Sequence, residues 1–323
     1  MTHSTFAAGL AALTCMGSAM GSAASAQVLT LSTTNPGGLT HSIGTAIART
    51  VTEQSDVRLV VVPAGGSPMP AVAGGEADCG VNVAFDLAYY VTGTGFYAEQ
   101  GAHPSLRMTA AVLDSQVALY VKTDAAETSV SDLKGLRVPG GLNAQAAIGQ
   151  VYDTYLALGG LDRADVDSIP TQSIVQAADD FSAGRNDTFL FSVGAAKVLE
   201  VDSSVGGLRA LTVANTDETR AILNDGLPGA KFLELDPGVS SQIAAPTNVI
   251  AYDMVLLCAE SVPDDAVAAM TRVIHDHKAD LAAAFAPMAR FDPAAMAPEV
   301  PGVTYHPGAI AALGAVGLWP QTN

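Results

Sequence analysis

The strongest constraint on this chain is a junction that recurs along it: a short β-rich run, a turn of Gly, Asn or Ser, and then an amphipathic helix. Residues 28–34 predict a strand ending in Asn35-Pro36-Gly37-Gly38, and residues 40–54 predict a helix with Ile43, Ile47 and Val51 on one face. Residues 57–62 form a continuous β-branched run of the kind buried on both faces in a parallel sheet. Further pairs follow at 77–83 and 86–92, 136–138 and 143–158, 188–193 and 195–201, and 208–213 and 217–224. Such alternation predicts an α/β class with largely parallel sheets.

Two β-rich stretches, near 109–122 and 249–258, are long enough to leave one sheet and enter another. The segment between them carries its own strands and helices. The predicted organisation is two lobes joined by two crossing strands: residues 27–115 and 258–323 in one lobe, 116–257 inserted as the second. A last long helix is expected after Ser261, with Pro263 in its first turn, Asp264 at capping-box spacing, and Val267, Met270, Ile274, Leu281 and Phe285 on the core. His275 and His277 are two residues apart, point to different faces and make a poor metal pair.

Composition removes several functions. The 323 residues carry 32 acidic and 15 basic side chains, a net charge of −17, which repels phosphate backbones and anionic membrane surfaces. Nearly half of the residues are hydrophobic, too many for a disordered chain, and 57 of them are Ala. Beyond the N-terminus no apolar run reaches the ~18 residues of a membrane span, so stable membrane insertion is not expected.

Residues 1–26 read as a signal peptide. An apolar run over 6–16 leads to a small-residue stretch ending Ala24-Ser25-Ala26 before Gln27, although no Lys or Arg precedes the run. Lipid anchoring at Cys15 is disfavoured, because Leu13-Thr14 is a poor match to the residues wanted before a lipidated Cys. Export leaves Cys79 and Cys258, which an oxidising compartment could bridge. Their apolar, strand-like surroundings favour two buried free thiols instead.

Four strand-to-helix turns could hold a ligand: Asn35 to His41 with Gly38 and Thr40, Gly65-Gly66-Ser67-Pro68, Gly140-Gly141-Leu142-Asn143, and Ser192-Val193-Gly194-Ala195. Ser67 is expected at an N-cap with Pro68 at the first helical position. Free N–H groups at positive helix ends suit a carboxylate, and in open α/β sheets ligands bind beyond the carboxyl ends of strands. No dinucleotide or phosphate-loop fingerprint, zinc spacing or G-x-S-x-G elbow occurs, so no cofactor, metal or nucleophile is implied. Asp86 and Asp187, near strand ends, are expected to tie turns.

In these residues the chain resembles the solute-binding proteins of TRAP (tripartite ATP-independent periplasmic) transporters of the TAXI type. The resemblance runs from about Leu29 to Trp319. It rests on Asn35-Pro36-Gly37-Gly38, Pro63-Ala64-Gly65-Gly66-Ser67 followed by Gly75-Glu76-Ala77-Asp78, Asp132 to Val138, Gly184-Arg185-Asn186-Asp187, Tyr305-His306-Pro307-Gly308-Ala309 and Gly317-Leu318-Trp319. It implies a periplasmic, type II-like two-lobe protein that closes on a small carboxylate and hands it to TRAP membrane subunits. The family's site maps to Gly38, Thr40 and His41, to Ser67, to Asn82 and Phe85, and to Asn143 and Ala144. Three departures fall in that site: Leu39-Thr40-His41 where many relatives have an aromatic residue, Gly141-Leu142-Asn143 in place of Gly-Ser-Gly, and Gly194-Ala195-Ala196 in place of Gly-x-Pro. His306 and Trp319 are assigned to packing or turn-holding. A ligand-sensing receptor is the alternative, and an enzyme using His41 is disfavoured because no nucleophile, base and orienting group can be assembled.

Overall fold

The computed structural model describes residues 1–2, 27–34, 36, 38–64, 66–142 and 145–320. The expected signal peptide over 3–26, and Asn35, Asn143 and Ala144 among the candidate ligand residues, lie outside the described residues.

Strand β1 (Gln27–Thr33) enters helix α1 (Leu39–Gln54), whose Ile43, Ile47 and Val51 are fully buried. Each such side chain contributes about 1.5–3 kcal/mol on burial. Next come β2 (Val57–Pro63), the short α2 (Met69–Ala73), β3 (Cys79–Val83) and α3 (Ala84–Thr92). The long strand β4 (Leu106–Lys122) leads to β5 (Arg137–Gly140), α4 (Ala146–Leu158), β6 (Asp167–Pro170), α5 (Ile174–Ser182), β7 (Phe189–Ser192) and α6 (Ala196–Val205). Then β8 (Leu208–Ala210), α7 (Asp217–Gly226) and β9 (Lys231–Leu235) precede the second long strand, β10 (Thr247–Ala259).

The main sheet runs β2-β1-β3-β10-β4-β7, with β8 also on β4 and β9 also on β10. It is mixed, which corrects the expectation of largely parallel sheets. β1 pairs parallel with β2 and β3, and β5 with β6, but β10 is antiparallel to β3, β4 and β9, and β4 is antiparallel to β7 and β8. The reason is that the two long strands run in opposite directions through the sheet centre. The β-branched run at 57–62 is also not buried on both faces. β2 is the sheet edge, and its burial alternates, with Val57 and Leu59 inside and Val60 and Val62 about 40% exposed.

The expected last long helix is two helices, α8 (Asp264–Asp276) and α9 (Lys278–Ala284), broken at His277, and α10 (Pro307–Ala315) follows them. No side chain caps α8, whose N-cap position is Pro263, so Asp264 lies in the first turn and not in a capping box. His306 caps α10 by accepting from the Gly308 N–H at 3.2 Å, and Trp319 packs on Tyr305, as the assignment to turn-holding and packing required. Asp187 ties its turn as expected: it accepts from the Arg137 N–H and side chain, and the guanidinium holds its carboxyl below the usual range.

Among the described residues the core falls into three clusters. One draws its fully buried residues from 29–113 and 254–313. The other two draw theirs from 117–252, joined by Phe85 and Tyr89 from α3. β4, β10 and α3 each contribute buried residues to both sides. The two long strands are paired from Ile250 opposite Val117 to Ala259 opposite Leu106, with register shifts near Met254 and Leu256.

Cys79 and Cys258 form a disulfide, which corrects the expectation of free thiols. They face each other directly in the β3–β10 ladder, a proximity set by topology across 179 residues of sequence. A loop this long restricts the unfolded chain strongly, so replacing both cysteines with Ala is expected to cost about 2–5 kcal/mol. Urea unfolding of the two proteins, with and without reductant, checks this; only the parent should respond to the reductant.

Candidate functional site

Strand polarity brings the predicted turns together. β3 runs toward the centre of the long pair and ends with Val83 opposite Met254, which itself pairs with Leu113. β7 approaches from the other side and ends with Ser192 opposite Val117. Three residues of β4, 114–116, lie between these levels, a step of four positions or about 13 Å along the strand. The carboxyl ends of β1, β2 and β3 therefore point toward that of β7 across a gap floored by residues 114–116 and 251–253.

On that floor, Asp253 lies directly opposite Asp114. Burial and the Asp114 charge push the Asp253 carboxyl up, against the opposing pull of Lys231, whose Nζ is 3.3 Å from Asp253 Oδ1. Gln116 Nε2 donates to Asp114 at 2.8 Å.

On one side of the gap, the β1–α1 turn is knitted by hydroxyls. Thr40 Oγ1 accepts from the Thr34 N–H at 3.3 Å and bonds the Thr34 hydroxyl, while Thr33 Oγ1 lies 3.0 Å from His41 Nδ1. Among the described residues no carboxylate forms a hydrogen bond or ion pair with His41, whose Nδ1 faces the Thr33 hydroxyl. Gly38 occupies the N-cap position of α1.

α2 begins one residue later than expected, with Pro68 and not Ser67 at the N-cap position. Gly80 permits its close approach to β3, because a Cβ there would lie 3.2 Å from Pro68 Cβ. The result leaves Gly66 and Ser67 exposed beside the end of β3. Ser67 Oγ accepts from Asn82 Nδ2 at 3.3 Å, and the same amide donates to Asp86 Oδ2 at 2.8 Å. Asp86 Oδ1 is buried and accepts no close hydrogen bond among the described residues, and the Tyr97 hydroxyl faces both Asp86 and Ser67. Burial pushes the Asp86 carboxyl up to about 6, although Asn82 and Tyr97 act to lower it.

Phe85 is not presented to the gap. It is 1% exposed and packs edge-on against Tyr252, with ring centroids 5.1 Å apart, in one of the clusters drawn from 117–252.

On the other side, Ser192 is half-buried, and Gly194 is exposed with φ of 75°, a left-handed conformation that favours glycine. It re-aims the chain so that Ala195 opens α6. None of the residues at the N-cap positions of α1, α2, α4 and α6 caps its helix through a side chain. By contrast Ser173 and Thr216 cap α5 and α7. At α1 and α6, which follow β1 and β7, no N-cap side chain takes up the first backbone N–H groups, an arrangement that suits an anion.

The ring of Ser67, Asn82, Asp86 and Tyr97 is only partly readable from sequence. Ser67 and Asn82 were signalled by their turns; Asp86 reads as a turn-tying residue, and nothing in its neighbourhood signals Tyr97. The sequence-distant Asp114, Gln116 and Asp253 could be found only as polar residues inside otherwise apolar strand runs.

In fold the chain matches solved structures of solute-binding proteins. A TctC solute binding protein from Polaromonas superposes with a TM-score of 0.53 at 18% identity, covering 90% of this chain and 93% of that one. The periplasmic aliphatic sulphonate binding protein SsuA from Escherichia coli gives 0.50 at 16% identity, covering 82% and 74%. The SsuA sulfonate-binding protein from Methylobacillus flagellatus gives 0.51 at 14% identity, covering 80% and 70%. These likenesses are of fold. No curated protein matches the chain. Residues 31–317 match the NMT1-like family, and the protein belongs to that family.

The raised Asp86 pKa makes a stability prediction. A carboxyl whose folded pKa exceeds its unfolded value contributes stability that is complete below the unfolded pKa, near 3.8, and lost as pH rises through about 6. At about 1.4 kcal/mol per unit this amounts to about 3 kcal/mol, so Asp86→Asn is expected to be as stable as the parent or more so at pH 7.5, with the difference vanishing toward pH 4. Melting temperatures of both proteins across pH 4–8 provide the check.

Proposed function

We propose that this protein is the periplasmic solute-binding component of a TRAP transporter of the TAXI type, capturing a small carboxylate between two lobes and delivering it to the membrane permease. Residues 27–115 with 258–323 form one lobe and 116–257 the other, hinged on β4 and β10. The division of buried residues at about 113–117 supports the first boundary, and at the second it falls at about 252–254, a few residues before 258. Among the described residues no helix is long and apolar enough to cross a membrane.

The observation that carries the reading is the opposition of the β3 and β7 ends across the hinge, with uncapped helix starts and neutral donors aimed into one gap. A carboxylate placed there exchanges water for backbone N–H groups and the side chains of Thr40, His41, Ser67, Asn82 and Ser192. Gly38, Gly66 and Gly194 keep the backbone within reach. Asn35, Asn143 and Ala144 complete the proposed set, while Phe85 acts from behind by holding α3 against Tyr252. Closure about the hinge removes the remaining solvent and performs no chemistry. The periplasmic location follows from the signal-peptide reading, and it agrees with the disulfide.

Thermal shift against succinate, 2-oxoglutarate, L-glutamate and ethanesulfonate tests the reading. One carboxylate is expected to raise the melting temperature, and Ser67→Ala is expected to weaken it by about tenfold, the ~1.4 kcal/mol scale of one hydrogen bond to a charged group. Silence across the panel, extended to other organic acids, would overturn the assignment, and an unchanged Ser67→Ala affinity would overturn the site.

A further inference from the structure

We propose that the buried Asp86 is a positioning residue: through Asn82 it fixes the polarity of the Ser67 hydroxyl, so that Ser67 donates its proton into the gap and selects anionic oxygen. This rests on the anion-capture reading above and deepens it.

An ionised carboxylate only accepts hydrogen bonds, so the Asn82 group 2.8 Å from Asp86 Oδ2 must be the amide NH2. That fixes which way the amide is turned. Its second N–H then points to Ser67 Oγ, 3.3 Å away, and occupies the hydroxyl's acceptor side. The Ser67 proton is left for the Tyr97 oxygen, which faces it, or for a ligand. Ser67 is exposed whereas Asn82 and Asp86 are 8% and 4% exposed, so the buried pair dictates the orientation of the group that solvent and ligand meet.

A protonated Asp86 reverses the logic. It can donate, Asn82 can turn over to present its oxygen to Ser67, and the Ser67 proton is drawn inward. Burial pushes the Asp86 carboxyl up to about 6, so this reversal is expected between pH 7.5 and 5. Among the described residues the other titratable group recorded against Asp86 is Tyr97, with Tyr90 beyond it. Burial and the Asp86 charge push the Tyr97 phenol far upward, so it stays protonated and leaves Asp86 as the group that switches.

The relay and simple charge repulsion predict opposite signs. Removing a buried negative charge near an anion site tightens anion binding if repulsion dominates, and weakens it if the charge acts by aiming Ser67. Asp86→Asn is expected to weaken the tightest binder of the four-compound panel at least fivefold at pH 7.5. The parent should also lose affinity for ethanesulfonate, which stays ionised, as pH falls from 7.5 to 5, a dependence the variant should lack. Equal or tighter binding by folded Asp86→Asn would overturn the proposal. A second readout needs no ligand: the Asn82 side-chain amide resonances of the free protein should titrate together with the Asp86 carboxyl. Amide resonances that ignore pH would overturn the relay, whereas a titrating amide beside a silent panel would overturn the anion-capture reading alone.

Discussion

The pairing of β4 with β10 is the interaction on which the rest of the molecule depends. At about 3.3 Å per residue, 17 residues of β4 and 13 of β10 extend roughly 56 and 43 Å, too far for one hydrophobic cluster to cover. Their upper and lower parts are therefore buried by different sets of helices, and the stretch between is left to polar residues. Every other strand of the main sheet except β1 and β2 attaches to one of these two. The places where β3 and β7 stop along them set the width of the gap.

That geometry also explains where polar side chains are tolerated. Asp114, Gln116 and Asp253 interrupt strands that are otherwise apolar because they sit where neither cluster reaches. Asp86 is buried at the inner end of the same region and is held by one amide and faced by one phenol. Buried charge in such a position is costly unless it organises its surroundings, and here it organises the amide that meets the exposed serine.

The disulfide and the edge strand mark the boundary of sequence reasoning. Cys79 and Cys258 sit in apolar runs that are equally compatible with free thiols; only the β3–β10 ladder makes them neighbours. The run at 57–62 has the composition of a central strand, but β1 is its sole neighbour in the sheet, so half of its side chains face water. The helix expected across 261–285 breaks at His277, where its main-chain angles leave the helical region, although the apolar spacing continues through Leu281.

From its own pattern the sequence determines the alternation of strands and helices, the position of α1 with Ile43, Ile47 and Val51 inward, the two crossing strands, and the Gly-rich and Ser-rich turns. These are local properties, written in side-chain period and turn chemistry. Tertiary structure alone decides the antiparallel sense of the long pair, the pairing of the cysteines, the withdrawal of Phe85 into the core, and the link from Asp86 through Asn82 to Ser67. Each of these depends on which segments meet across the sheet or at its ends, and local period carries no information about such encounters.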